Sequence, residues 1–178
     1  MRFVSLIRSW AERSTVNFGI HDCCPPKENV TKAQYLKNLG AIYEVAAAAL
    51  APGGKILWVS TTPVPTVGSA PQSFTCGLSG SAFNGCVDDY NTAALALLGG
   101  KPNVEVLDLN AAVSDVCGKP YESCNLQRWH DVHFTSAGKQ FCAVQVAHAV
   151  APLLAPKWNR LCNATGNNVQ CVKAAQGQ

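Results

Sequence analysis

The residues best suited to chemistry stand in two short stretches. The later one, Arg128 to Gly138, reads Arg-Trp-His-Asp-Val-His-Phe-Thr-Ser-Ala-Gly and sets His130, Asp131 and His133 side by side. An imidazole changes charge near neutral pH, so it can take a proton from a hydroxyl and return it to a leaving group. Downstream, Phe141, Val144, Ala147 and Val150 recur at intervals that predict one face of a helix. Thr135 or Ser136 would N-cap that helix, because a short hydroxyl side chain accepts from the open amides of the first turn. A base on a loop held against a rigid helix is well positioned. The plainer reading is a loop with two ordinary histidines.

The earlier stretch is Asn17-Phe18-Gly19-Ile20-His21-Asp22, which follows Thr15 and Val16. It reads as a short buried strand, over Val16 to Gly19, that runs into a loop. Gly19 permits a tight exit or a close backbone approach. His21 and Asp22 then fall at the carboxyl end of a strand, where open α/β sheets place their ligands. With these residues the chain resembles the SGNH hydrolases, the GDSL-type esterases and lipases. Gly19-Ile20-His21-Asp22 is similar to that family's third block, usually Gly-x-Asn-Asp. Asp131-Val132-His133-Phe134-Thr135, with Gly138, is similar to its fifth. The branch reading Gly-Leu-His-Asp and Asp-Val-His-Phe-Thr is the most similar, and Trp58-Val59-Ser60-Thr61-Thr62-Pro63-Val64-Pro65 suits it. The likeness spans roughly Thr15 to Leu154 and rests on the order and separation of short blocks.

The resemblance implies a serine esterase acting on carboxylic esters, carbohydrate acetyl esters among them, with no cofactor. His133 matches the base, and His21 stands where the family places its asparagine donor to the oxyanion. Asp131 is the nearest carboxylate to orient His133. Most members carry that aspartate three residues before the histidine, where this chain has His130. Asp131 would reach through a tightened loop, or a backbone carbonyl would hold the ring instead. Asp22 is expected to hold its loop by accepting backbone amides. The nucleophile has no match: Gly-Asp-Ser occurs nowhere, and Gly77-Leu78-Ser79-Gly80 follows no strand. Three readings follow: a hydrolase whose first two blocks lie upstream of Met1, a catalytically silent binding module, and a metal site on His21, Cys23, Cys24, His130 and His133. The last is the weakest, since those spacings match no standard zinc pattern.

These residues need a scaffold, and the chain supplies an alternation of strand and helix patterns. Met1 to Arg13 is amphipathic, with Phe3, Leu6, Ile7, Trp10 and Ala11 on one face. Cys23-Cys24-Pro25-Pro26 continues the first loop. Thr31-Lys32-Ala33-Gln34 is a capping-box pattern opening a helix that Pro52-Gly53-Gly54 stops. Ile56 to Ser60 is a nearly continuous apolar run, as a parallel strand covered on both faces requires. Thr62 to Gly85 reads as a long loop, Val87 to Leu98 as a helix and Val104 to Leu109 as a third strand. Ala111 to Gln127 is loop or short helix. This order argues for parallel pairing with right-handed crossovers. The resemblance implies a three-layer, flavodoxin-like α/β/α sandwich whose first two strands are not in this chain. The domain is expected over 1–155, followed by a polar, cysteine-containing tail over 156–178. Loss of two strands would bare the edge at Thr15 to Gly19 and favour self-association.

Composition narrows the class further. The chain has 178 residues, 48% hydrophobic and 14% charged, which suits one folded domain. A net charge of +3 with no basic run argues against nucleic acid, and no apolar stretch reaches membrane-spanning length. Nine cysteines are many for this size. Local spacing predicts Cys76–Cys86, Cys117–Cys124 and Cys162–Cys171 as disulfides, with reduced, packed cysteines as the alternative. With the sequons at Asn29 and Asn163, the pairs favour a secreted or lumenal protein. Met1 to Arg13 is broken by charges and is no signal peptide.

Overall fold

The computed structural model describes residues 13–23, 30–65, 80–119, 123–128 and 131–165, with 154–165 described as helical backbone only. Its elements run β1 (Arg13–Val16), α1 (Lys32–Ala49), β2 (Lys55–Val59), α2 (Gly80–Leu98), β3 (Val104–Leu107), α3 (Leu109–Cys117) and α4 (Ser136–Thr165). The strands pair in parallel in the order β1-β2-β3, with Val16 opposite Trp58 and Trp58 opposite Val106. Parallel strands need a crossover, and α1 and α2 supply the two.

Successive side chains of β2 face opposite ways, so its apolar run feeds two cores. Ile56 and Trp58 join Tyr35 and Leu39 of α1 with Phe83, Val87, Tyr90 and Ala94 of α2. Leu57 and Val59 join Leu109 and Val113 of α3, with Phe141, Val146 and Val150 of α4 against them. The sheet is therefore covered on both faces, as the unbroken apolar sequence of β2 demands. The edge of β1 away from β2 is different: Phe18, Ile42 and Val45 beside it are exposed, and an apolar groove of about 510 Å³ runs there.

Beyond β2 the chain leaves the sheet as a buried extended segment, Ser60 to Pro65. The Ser60 N–H still donates to the Leu107 carbonyl of β3 at 3.0 Å, but among the described residues the backbone from Thr61 onward has no ladder partner, and burying it unpaired is costly. Side-chain amides take over. Asn91 accepts from the Thr61 N–H at 2.9 Å and donates to the Thr61 carbonyl at 2.8 Å. Asn110 also donates to that carbonyl, at 2.8 Å. Asn84 closes both groups of Val64, each at 2.8 Å, and Gln127 donates to the Pro63 carbonyl at 3.0 Å. Ser60 donates its hydroxyl to Asp108 at 2.8 Å and accepts the Asn110 N–H at 2.9 Å.

Several expectations are corrected. The first strand lies three residues earlier than Val16 to Gly19, because the Asn17 side chain, not further backbone pairing, meets the Val59 and Ser60 carbonyls, at 2.9 and 3.2 Å. The third ends at Leu107, because Asp108 turns to cap α3 by accepting from Ala111. The capping box at Thr31 is half formed: Thr31 accepts from the Gln34 N–H, but the Gln34 side chain donates to Asn38. The segment up to Gly85 is helical from Gly80. Cys86 bonds Cys23 and not Cys76, since the loop after β1 packs against α2, with Cα atoms 5.8 Å apart. Cys117–Cys124 forms as expected. The helix before β1, and the partners Cys76 and Cys171, lie outside the described residues. The 155/156 boundary falls inside α4.

Asn84 satisfies two buried backbone groups at once. Asn84→Ala is expected to cost about 3 kcal/mol, the desolvation of an orphaned donor and acceptor, seen as a lower urea midpoint with an unchanged slope.

Candidate functional site

His21 is delivered by the turn after β1. Gly19 has φ of +142°, a backbone region that L side chains rarely adopt, and a Cβ there would meet the Thr61 hydroxyl at 2.7 Å. Thr61 and Tyr35 both donate to the Phe18 carbonyl, at 2.9 and 3.3 Å. The Cys23 N–H closes the turn on the Gly19 carbonyl, and the Cys23–Cys86 bond fastens its far end to α2. Asp22 lies next to Tyr35 and Tyr90. Burial first, and then the Asp22 charge, pushes the Tyr35 phenol up to about 12. Tyr90 is raised by the same two causes in the same order.

His133 is delivered by a tight hairpin. Gln127 and Phe134 form an antiparallel bridge, the Arg128 N–H donates to the His133 carbonyl at 2.9 Å and the Asp131 N–H to the Arg128 carbonyl at 3.1 Å. Val132 is buried between Asp131 and His133, whose side chains meet each other. Thr135, of the two capping candidates, caps α4 by accepting the Gly138 N–H at 3.1 Å, and donates its own hydroxyl to the Asn125 carbonyl at 2.7 Å. Gly138 passes so close to the Leu126 carbonyl that a Cβ would overlap it. The glycines of both stretches are thus close-approach positions.

Asp131 Oδ1 lies 2.6 Å from His133 Nδ1 and also accepts the His133 N–H at 3.1 Å. A spacing of two residues is enough because one carboxylate oxygen meets both the ring and the backbone. Partial burial works to raise the Asp131 carboxyl. The two hydrogen bonds from His133, its charge and that of Arg128 outweigh this and hold the carboxyl below its ordinary range. With Nδ1 engaged, proton transfer falls to Nε2.

His21 and His133 line one cleft of about 340 Å³ at the carboxyl edge of the sheet, together with Ile20, Thr62, Arg128, Val132, Phe134 and Lys139. Gly19 and Asp22 lie in the turn that carries His21 and do not line the cleft, and His130 lies outside the described residues. Sequence reasoning missed Thr62, Arg128 and Lys139 as lining groups. It also missed the Asn84, Asn91, Asn110 and Gln127 clamps. A pair of asparagines seven apart beside the apolar stripe Phe83, Val87, Tyr90 and Ala94 was the available signal. A larger cleft, about 470 Å³, opens beside β3 between α2 and α3 and holds none of the expected residues. Its Asp88 is paired with Lys119 and its Asp108 with Ser60. Among the described residues no three His, Cys, Asp or Glu side chains converge as metal ligands, and no helix is long and apolar enough to cross a membrane. No family model, curated protein or solved structure matches the chain.

Because the Asp131 carboxyl sits below its unfolded value of about 3.9, it adds stability at higher pH that is lost as pH falls through the folded value. Denaturant midpoints of the native chain and Asp131→Asn should differ at neutral pH and converge under acid conditions. A gap that persisted or widened in acid would contradict the assignment.

Proposed function

We propose that the cleft is the acid–base half of a serine-esterase site of the SGNH type, acting on carboxylic esters such as carbohydrate acetyl esters. The observation that carries this reading is the Asp131–His133 pair, 2.6 Å apart, in one cleft with His21 at the carboxyl edge of a parallel sheet. In this reading His133 Nε2 takes the proton of an attacking hydroxyl and returns it to the leaving alkoxide. Asp131 fixes the ring and stabilises the imidazolium, and a His21 N–H meets the oxyanion. The strand order β1-β2-β3 is compatible with the last three strands of a flavodoxin-like sheet. The β1 edge, unpaired among the described residues, then lies where further strands, or a second chain, would pair. The two disulfides support an oxidising, secreted setting.

Among the described residues no serine or cysteine lines the cleft, and Thr62 is the hydroxyl-bearing side chain there. Ser60, at the end of the central strand, is 2% exposed and committed to Asp108, so it is no nucleophile. That observation favours a silent binding module as the second reading.

Assay of a chromogenic acetate ester separates the two. This chain alone should stay at background. A longer form supplying a Gly-Asp-Ser strand end should turn over, and His133→Ala in that form should lower kcat roughly a thousandfold or more. Turnover indifferent to His133 would reject the mechanism. Turnover by this chain alone that is lost in both His133→Ala and Thr62→Ala would place the nucleophile at Thr62.

A further inference from the structure

We infer that the cleft selects an anionic substrate, an ester whose sugar or acyl part bears a carboxylate or phosphate, and that Arg128 and Lys139 determine this choice. The inference rests on the site reading above and adds the substrate class to it.

Two cations meet at the cleft. Arg128 and Lys139 both line it, and both are exposed. Among the described residues neither forms an ion pair, whereas Lys32, Lys55 and Lys119 are each paired with a carboxylate. The first turn of α4 carries no acidic residue. Lys139 sits in that turn, where a cation opposes the helix dipole and costs helix stability. A carboxylate would be the stabilising choice at such a position, so the lysine is a cost that a bound anion would offset. The neighbouring carboxylate, Asp131, is occupied by the two His133 contacts. Arg128 and Lys139 thus stand beside a carboxylate that is already engaged. The Arg128 guanidinium offers a planar donor fork suited to two oxygens of one carboxylate or phosphate, and Lys139 adds a mobile point charge. At about 340 Å³ the cleft has the size of a small-ligand site and suits one sugar ring with its substituent. Lys139 makes no contact with the Asp131–His133 pair, while the Arg128 charge also acts on the Asp131 carboxyl.

The test is binding to the purified chain at low salt, read from the ring C–H signals of His21 and His133 during titration with D-glucuronate, glucose-6-phosphate and D-glucose. The two charged sugars should move both histidine signals saturably, at least tenfold more tightly than D-glucose, and the tighter of them names the anion. In the double variant Arg128→Gln, Lys139→Gln this preference should vanish while the backbone amide signals of β2 and α2 stay in place, which shows the fold intact. Equal binding of all three sugars, no binding of any, or a preference that survives the double variant would overturn the inference. The two failures are distinguishable: failure of His133→Ala to slow a longer form would reject the mechanism, whereas loss of the charge preference would reject the substrate class alone.

Discussion

The structure depends on how the chain leaves its central strand. After Ser60, the last residue to bond β3, the backbone runs on through Thr61 to Pro65 largely buried, with no strand to pair against among the described residues. Four side-chain amides, from Asn84, Asn91, Asn110 and Gln127, replace the missing ladder. They come from α2, α3 and the segment before the His133 hairpin, so one satisfied stretch of backbone locks three separate parts of the chain to the sheet edge. An unpaired buried amide costs more than a formed one gains, which makes these clamps stringent. Thr61 and Ser60 extend the lock sideways, to the Phe18 carbonyl after β1 and to the Asp108 cap of α3.

The two histidines inherit their positions from this lock. His21 rides on a turn whose Gly19 rests against Thr61 and whose Cys23 is bonded to α2. In a chain-entropy picture, closing a separation of 63 residues contributes about 4 kcal/mol, most of it by restricting the unfolded chain. His133 rides on a hairpin held by Gln127, which donates both to Pro63 and, at 3.4 Å, to Val132. Thr135 then hands the chain to α4. Each histidine is thus exposed on a support that is itself buried, which is how a reactive group stays accessible without drifting.

Much of the scaffold was legible. The unbroken Ile56 to Val59 run fixed a covered parallel strand, and the helix patterns gave the crossovers. What periodicity could not give was where a strand yields to a side chain. Asn17 and Asp108 sit at positions that read as strand, yet each turns its side chain to the backbone and ends the ladder. Cysteine spacing was right for Cys117–Cys124, where the loop is short, and wrong for Cys86, because contacts across 63 residues leave no local trace. The Asp131–His133 spacing was readable as a candidate pair. Its closeness was not, because it depends on one oxygen bridging ring and backbone. The clamps were hidden for another reason: an asparagine on a helix ordinarily reads as a solvent-facing residue.

The SGNH-type reading stands or falls on the state of one ring. If Asp131 holds Nδ1–H, then Nε2 is the basic nitrogen and the cleft is an acid–base site. The direct measurement is the tautomer of His133, from long-range nitrogen–proton NMR correlations at neutral pH in the native chain and in Asp131→Asn. The account predicts a proton on Nδ1 in the native chain and a mixed or reversed tautomer in the variant. A native ring protonated on Nε2, or a tautomer indifferent to Asp131, would contradict it.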